Sequence, residues 1–295
     1  MSVTKAVIPA AGFGTRFLPA TKAIAKELIT VVDKPGIQYA VEEAARAGIK
    51  DILVVTSRGK GAIEDHFDRH GELEDLLEAA GKTEELKSVR EVGSHAKVHF
   101  VRQKAATGLG HAVLEAREHV GDEPFVVLLP DEIVPEPVDD EVPLLPRLIE
   151  LHQETGSCVI AVRRVPREDV VKYGVIEHGE MTGDHTQVKS LVEKPPVDEA
   201  PSDLSLPGRY LFTPTIFDAI ERTKAGVGGE YQVTDAIDLL ARQGDVLAYV
   251  HEGPIYDYGK KFEFLKTTIM LALRRNDLGK PLREFLIQLQ DELNA

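Results

Sequence analysis

The sequence predicts an α/β fold in which a mixed, mostly parallel sheet is flanked by helices. Short apolar runs rich in β-branched residues recur along the 295 residues, and such runs are typical of strands covered on both faces. They lie at 6–8, 52–55, 98–101, 125–129 and 159–162. Helical stretches fall between these runs, and this alternation favours crossover connections between parallel strands.

Three helices are predicted from local patterns. The first spans 37–48 and closes on a glycine, which is the usual residue just past a helix end. The second spans 110–120. The third is expected at 236–241, with the side chain of Thr234 or Asp235 as its N-terminal cap.

The region 166–215 differs in composition from the rest of the chain. It is richer in proline and charge, and its strand-like pieces at 173–177 and 187–192 are short. We interpret it as a mixed-sheet extension with long loops. One catalytic domain is therefore expected over 1–262, followed by C-terminal helices over 263–295.

The C-terminal helices carry one apolar face. Leu282, Phe285, Leu286 and Leu289 fall at i, i+3, i+4 and i+7, the spacing of a single helical stripe. Such a stripe is typical of core or of a subunit contact. A homodimer or homotetramer is the hypothesis that it supports.

Composition and charge exclude several classes of partner. The net charge of −14 argues against a nucleic-acid or membrane partner. No apolar stretch approaches the roughly 18 residues of a membrane span, and the start has no signal-peptide pattern. The single cysteine, Cys158, excludes an internal disulfide and favours a cytoplasmic location. If the substrates are anionic, the site has to gather cations locally.

The most informative motif follows the first predicted strand, over residues 7–16 (VIPAAGFGTR). Small residues let a ligand approach the backbone, and exposed N–H groups can cradle anionic oxygens. No Gly-Lys-Ser/Thr follows, which argues against a P-loop. The third glycine of the dinucleotide fingerprint is also missing, which argues against a nicotinamide-dependent dehydrogenase.

The continuation of this loop resembles the bacterial UTP–glucose-1-phosphate uridylyltransferases, part of the wider sugar-nucleotide pyrophosphorylases. The matching residues are Gly12-x-Gly14-Thr15-Arg16, Pro19, Lys22, Lys26-Glu27 and 32–35 (VDKP), within a likeness that extends from about residue 3 to 275. The resemblance implies a Rossmann-like fold of the nucleotide-diphospho-sugar transferase type. It also implies transfer of a uridylyl group from UTP to glucose 1-phosphate, giving UDP-glucose and pyrophosphate.

The resemblance assigns the nucleotide to the first part of the chain. Arg16 and Lys26 are the expected catalytic cations on the triphosphate. Gln103 can present both a donor and an acceptor to a uracil edge, and Gly108 lets the backbone approach the ring. The complete set of expected nucleotide contacts is Ala10, Ala11, Gly12, Gly14, Thr15, Glu27, Gln103 and Gly108.

Two acidic residues are the expected metal ligands. Asp131 follows the apolar run 125–129, and an acid at the carboxyl end of a strand is well placed for a metal. Mg²⁺ prefers one or two carboxylates together with phosphate oxygens. The resemblance implies Mg²⁺ on Asp131, with Asp257 as the second acid.

The sugar phosphate is assigned to the extension at about 166–235. There the resemblance implies sugar contacts from Gly174, Glu193 and Glu230. Lys194 is the third expected catalytic cation and would neutralise the incoming phosphate.

The chain departs from the family pattern at two positions, which leaves alternatives open. Ala25 stands where proline is usual, and Asp203 stands where asparagine is common. One alternative is the same chemistry with dTTP or with another sugar, such as glucosamine 1-phosphate. Another is a non-catalytic paralogue that binds sugar nucleotides and regulates a partner enzyme.

Overall fold

A mixed, mostly parallel sheet runs through the protein, as the sequence predicts, and it has ten strands among the described residues. The computed structural model describes residues 2–138, 141–226 and 229–294. The strands in these ranges are β1 Lys5–Pro9, β2 Thr30–Val31, β3 Lys34–Pro35, β4 Asp51–Thr56, β5 Lys97–Arg102, β6 Phe125–Leu128, β7 Glu132–Ile133, β8 Cys158–Arg164, β9 Gly174–Thr182, β10 His185–Glu193, β11 Leu204–Ser205, β12 Arg209–Phe212, β13 Val246–Val250 and β14 Tyr256–Asp257.

The α-helices in the same ranges lie between the strands and after the last of them. They are α1 Gly36–Arg46, α2 Gly61–Phe67, α3 Gly71–Ala79, α4 Thr83–Glu91, α5 Leu109–Leu114, α6 Arg117–Val120, α7 Leu144–Thr155, α8 Thr215–Arg222, α9 Val233–Ala241, α10 Lys261–Arg274 and α11 Gly279–Leu293.

The sheet has a parallel half and a mixed half. Its order is β11-β9-β10-β13-β8-β12-β6-β1-β4-β5. Strands β6, β1, β4 and β5 are parallel neighbours, and β12 lies antiparallel between β6 and β8. Strand β13 pairs parallel with β8, and the β9–β10 hairpin joins beyond it. Strands β9, β10 and β11 of the predicted extension therefore form one edge of the main sheet, whereas its β12 lies in the middle, and most strands still run in one direction.

Both faces of the central strands are covered by apolar packing. Along β1 and β6, Val7 and Val127 belong to one core cluster, whereas Ile8 and Val126 belong to the other. Successive side chains of a strand point to opposite faces, so a strand buried on both sides has no polar alternation. This packing explains why the predicted strands are continuous apolar runs in the sequence.

Two local predictions were wrong. The helix expected at 110–120 is divided into α5 and α6, because the chain tightens where the Ala116 N–H bonds to the Val113 carbonyl, three residues back. The helix expected at 236–241 begins earlier, as α9. Thr234 lies inside its first turn and donates its hydroxyl to Glu193 instead of capping the helix.

The C-terminal stripe does not enter the core. On α11, Leu282, Leu286 and Leu289 are only partly buried, and Phe285 is 57% exposed. A stripe of this kind needs a partner surface if it is to be buried. Cys158, by contrast, is buried as expected. None of the helices in the described ranges has both the length and the apolar character of a membrane span.

Candidate active site

Two adjoining cavities open at the carboxyl ends of the parallel strands. The first cavity measures about 490 Å³ and the second about 630 Å³. Leu109, Leu129 and Asp131 line both, so the cavities meet just beyond the end of β6. An open α/β sheet binds ligands at this edge, where the loops that follow the strands converge.

Fourteen of the sixteen predicted site residues line these cavities. The first cavity has Ala11, Gly12, Gly14, Thr15, Lys26, Gln103, Gly108, Asp131 and Glu230 in its wall, and the second has Arg16, Asp131, Gly174, Glu193, Lys194 and Asp257. Glu230, expected on the sugar side, therefore lies with the expected nucleotide residues. The other two, Ala10 and Glu27, are almost fully buried.

The glycine-rich loop requires a glycine at position 14. The φ of Gly14 is 64°, a left-handed conformation that other residues rarely adopt. A Cβ atom there would also lie 2.7 Å from the Cβ of Lys26. The absent side chain thus lets Lys26 pack directly against the loop. Thr21 secures the turn by donating its hydroxyl to the Gly14 carbonyl, at 2.8 Å.

Lys26 is paired with Asp131 at the junction of the two cavities. Its Nζ lies 3.2 Å from Asp131 Oδ2. Burial by itself lowers the pKa of Lys26, but the carboxylates of Asp131 and Glu27 outweigh burial and raise it. Burial likewise raises the pKa of Asp131, yet the Lys26 ammonium brings it below the ordinary value. Both groups are therefore charged at neutral pH.

Asp131 and Asp257 converge on a space that Gly259 leaves open. A Cβ atom at position 259 would lie 3.1 Å from Asp257 Oδ1, 3.4 Å from Asp131 Oδ2 and 3.7 Å from Arg16 Nη1. The strands behind the two acids fix this arrangement, because β7 and β14 pair antiparallel with Asp257 opposite Glu132. The Gly259 N–H also donates to Asp257 Oδ1, at 2.6 Å.

Glu132 lines the second cavity beside the two acids, and burial raises its pKa to about 8. Arg163 opposes the shift, and Asp257 adds to it. Arg163 Nη2 is 3.8 Å from Glu132 Oε1, beyond hydrogen-bond distance. At neutral pH Glu132 adds little negative charge, so the site presents a pair of acids. Within the described ranges, no three acidic, histidine or cysteine side chains form a group that could hold a metal ion.

Gln103 lines the first cavity, and its amide nitrogen is bonded within the protein. Its amide nitrogen donates to the Gly108 carbonyl at 3.2 Å and to His111 Nδ1 at 3.1 Å. Since the nitrogen is used inside the protein, the oxygen is the atom left for a ligand. Gly108 has a φ of 105°, and a Cβ there would meet the Tyr231 carbonyl at 2.7 Å. The glycine is thus required for packing between two loops.

The second cavity holds a carboxylate and an ammonium side by side. The Thr234 hydroxyl donates to Glu193 Oε2 at 2.7 Å, and Lys194 Nζ donates to Glu193 Oε1. Lys194 has a φ of 48°, although it is not glycine. Such strained backbone persists only where the surroundings hold it, and it clusters at functional sites. The Lys194 N–H is held by the Tyr173 carbonyl, at 3.0 Å.

Sequence reasoning missed two buried groups that support the site. Lys60 lies beneath the glycine-rich loop and is bonded to it. Arg209, on β12, bonds to Glu43 of α1 and to the carbonyls of Leu129 and Glu132. For Arg209, the signal in the sequence was a charged residue within an otherwise apolar stretch. Its partner could not be identified, since Arg209 and Glu43 are 166 positions apart.

The chain is similar to known proteins over nearly its whole length. A family model described as nucleotidyl transferase matches residues 5–271. A UTP–glucose-1-phosphate uridylyltransferase of Bacillus subtilis is 50% identical over 284 residues, covering 96% of both chains. One of Staphylococcus epidermidis is 47% identical over 287 residues, covering 97% of this chain and 98% of the relative.

Solved structures agree with these relatives. A UTP-bound UGPase from Acinetobacter baumannii superposes with a TM-score of 0.89 at 40% identity, covering 97% of this chain and 99% of the other. A UDP-glucose pyrophosphorylase complexed with UDP-glucose superposes with a TM-score of 0.84 at 38% identity, covering 92% of this chain and 100% of the other.

Proposed function

Since the chain belongs to the nucleotidyl transferase family, we propose that it transfers the uridylyl group of UTP to glucose 1-phosphate and releases pyrophosphate. The product is UDP-glucose. The observation that carries the proposal is the convergence of Asp131, Asp257 and Arg16 on one space of the second cavity, with Asp131 also in the wall of the first. Relatives named for this activity are about 50% identical over nearly their full length, and they support the assignment of these substrates.

The reaction is an in-line displacement at phosphorus. A phosphate oxygen of the sugar phosphate attacks the α-phosphorus of UTP as the bond to pyrophosphate breaks. The attacking oxygen is already anionic near neutral pH, so the residues supply position and charge neutralisation instead of a general base. We assign Arg16 and Lys26 to the triphosphate and Lys194 to the attacking phosphate. Glu193, held by Thr234, is placed to accept hydrogen bonds from sugar hydroxyls.

The acids suit a divalent ion that needs further ligands from the substrate. Two carboxylates facing one open space match the preference of Mg²⁺ for one or two carboxylates plus phosphate oxygens. Asp131 and Asp257 would hold Mg²⁺, which when bound neutralises charge on the phosphates. The Lys26 ammonium keeps Asp131 ionised, and therefore competent to bind a cation.

We assign to Gln103 the selection of uracil over cytosine. Its amide nitrogen is bonded within the protein, so its amide oxygen is the group that can accept the N3–H of uracil, whereas cytosine has no hydrogen at N3. Thymine presents the same N3–H, so discrimination between UTP and dTTP depends on other contacts. Glu27 was predicted to contact the nucleotide, but it can support the nucleotide only indirectly, because its carboxylate is buried against Lys60.

Replacing Gln103 with leucine tests its proposed role in selecting the base. We expect kcat/KM for UTP to fall about tenfold or more, the loss expected for one hydrogen bond in a desolvated pocket. The value for CTP should change little, so the ratio between the two nucleotides narrows. Gln153→Leu, at an exposed position of α7, is the matched control. An equal loss for both nucleotides would contradict a role in base selection.

Replacing Asp131 with alanine tests the catalytic assignment. Turnover should fall roughly a hundredfold or more, because a group that stabilises transition-state charge is removed. The measurement is pyrophosphate release from UTP and glucose 1-phosphate, with and without Mg²⁺. Glu123→Ala removes an exposed carboxylate paired with Lys5 and should keep near-normal turnover. Near-normal, Mg²⁺-dependent turnover of Asp131→Ala would refute the assignment.

We further propose a homodimer or homotetramer built on the C-terminal helices. Large apolar side chains of α10 and α11 are exposed in the single chain, among them Phe262, Leu265, Phe285, Ile287 and Leu293. Exposed apolar patches of this kind mark contact surfaces. The mass in solution should therefore be two or four times 32.4 kDa. A mass of one chain at working concentrations would contradict this assembly.

A further inference from the structure

Lys60 occupies an unusual place beneath the glycine-rich loop. It stands between β4 and α2, and its side chain is only 9% exposed. The ammonium donates to the carbonyl of Ala10 at 2.6 Å, to the carbonyl of Gly12 at 2.7 Å and to Glu27 Oε2 at 2.8 Å. A lysine has three N–H donors, and these contacts use all of them. Lys60 is therefore committed to the protein and is not available to a substrate.

The two carbonyl contacts fix the direction of two peptide groups. In a trans peptide, the C=O of one residue and the N–H of the next point in opposite directions. The carbonyls of Ala10 and Gly12 are turned toward Lys60, so the N–H groups of Ala11 and Phe13 point away from it. Ala11 and Phe13 both line the first cavity. Donors aimed from a loop in this way are suited to an anionic or carbonyl-bearing ligand.

The Glu27 carboxylate stabilises the buried ammonium of Lys60. An isolated ammonium without water is costly, and burial lowers the pKa of Lys60 while the Glu27 carboxylate counteracts that shift. Glu27 is itself 1% exposed, and its Oε1 has no hydrogen-bond partner among the described residues. The pair thus forms a fixed support, with Lys26 next to Glu27 in sequence and facing the cavity.

We propose that Lys60 is a positioning residue for the nucleotide. By holding the carbonyls of Ala10 and Gly12, it aims the N–H groups of Ala11 and Phe13 at UTP. The inference rests on the proposed function and adds a residue that does not touch the substrate. It accounts for a buried cation that neither the triphosphate nor the metal ligands require.

The decisive variant is Lys60→Met, which keeps much of the side-chain volume and removes all three hydrogen bonds. The KM for UTP should rise about tenfold or more, the loss expected when hydrogen bonds to a charged ligand are weakened. The dissociation constant of UTP, measured by calorimetry without sugar phosphate, should rise in parallel. The KM for glucose 1-phosphate should stay within about twofold, since Lys60 supports the nucleotide loop alone.

Two further variants separate positioning from general stability. Lys60→Met/Glu27→Gln removes the buried carboxylate that Lys60→Met alone leaves unpaired, so it should fold better and still bind UTP weakly. Leu151→Ala, on the buried face of α7, lowers the unfolding temperature without touching the loop and should keep the wild-type KM for UTP.

The outcomes are distinguishable. A selective rise in the KM and dissociation constant for UTP in the single and double variants supports the inference. A wild-type UTP affinity in the folded double variant overturns it, as does an equal change for both substrates. If the wild-type protein releases no pyrophosphate from UTP and glucose 1-phosphate, the proposed function fails instead, and the UTP calorimetry still tests Lys60.

Discussion

The buried ion pair between Arg209 and Glu43 holds the segment that follows β6, and this segment carries Asp131. Arg209 is fully buried, and its guanidinium bonds to Glu43 at 2.8–3.0 Å and to the carbonyls of Leu129 and Glu132. Those carbonyls flank Asp131, so one side chain ties together β12, α1 and the turn that carries Asp131. Removing one partner of such a pair costs about 3–5 kcal/mol, because a buried charge is left uncompensated. The position of Asp131 is therefore set by groups far from it in sequence.

Positive charge is concentrated locally in a chain whose net charge is −14. Lys60 lies behind the glycine-rich loop, whereas Arg16 and Lys26 lie in front of it, beside Asp131. Lys60 is paired with Glu27, and Lys26 is paired with Asp131. The raised pKa of Glu132 limits the negative charge beside the two acids. Such local placement reconciles an acidic protein with polyphosphate substrates.

The sequence alone predicted the features that depend on residues close together in the chain. Apolar runs predicted the central strands, since both faces of β1 and β6 are covered. The loop at 10–16 and Asp131 follow strands, so the edge where they meet could be inferred from topology alone. Lys60 and Arg209 could not be predicted, because their roles depend on partners distant in sequence. The hydrogen bond from Thr234 to Glu193 could not be predicted either, because the two residues are distant in sequence.

The proposed mechanism requires Asp131 and Asp257 to form a cation site that the substrate completes. Electron paramagnetic resonance of Mn²⁺, used in place of Mg²⁺, tests this directly. We expect weak Mn²⁺ binding to the protein alone, strong binding with UTP, and loss of that gain in Asp131→Ala/Asp257→Ala. Mn²⁺ binding that is equally strong without UTP, or unchanged in the double variant, would contradict it.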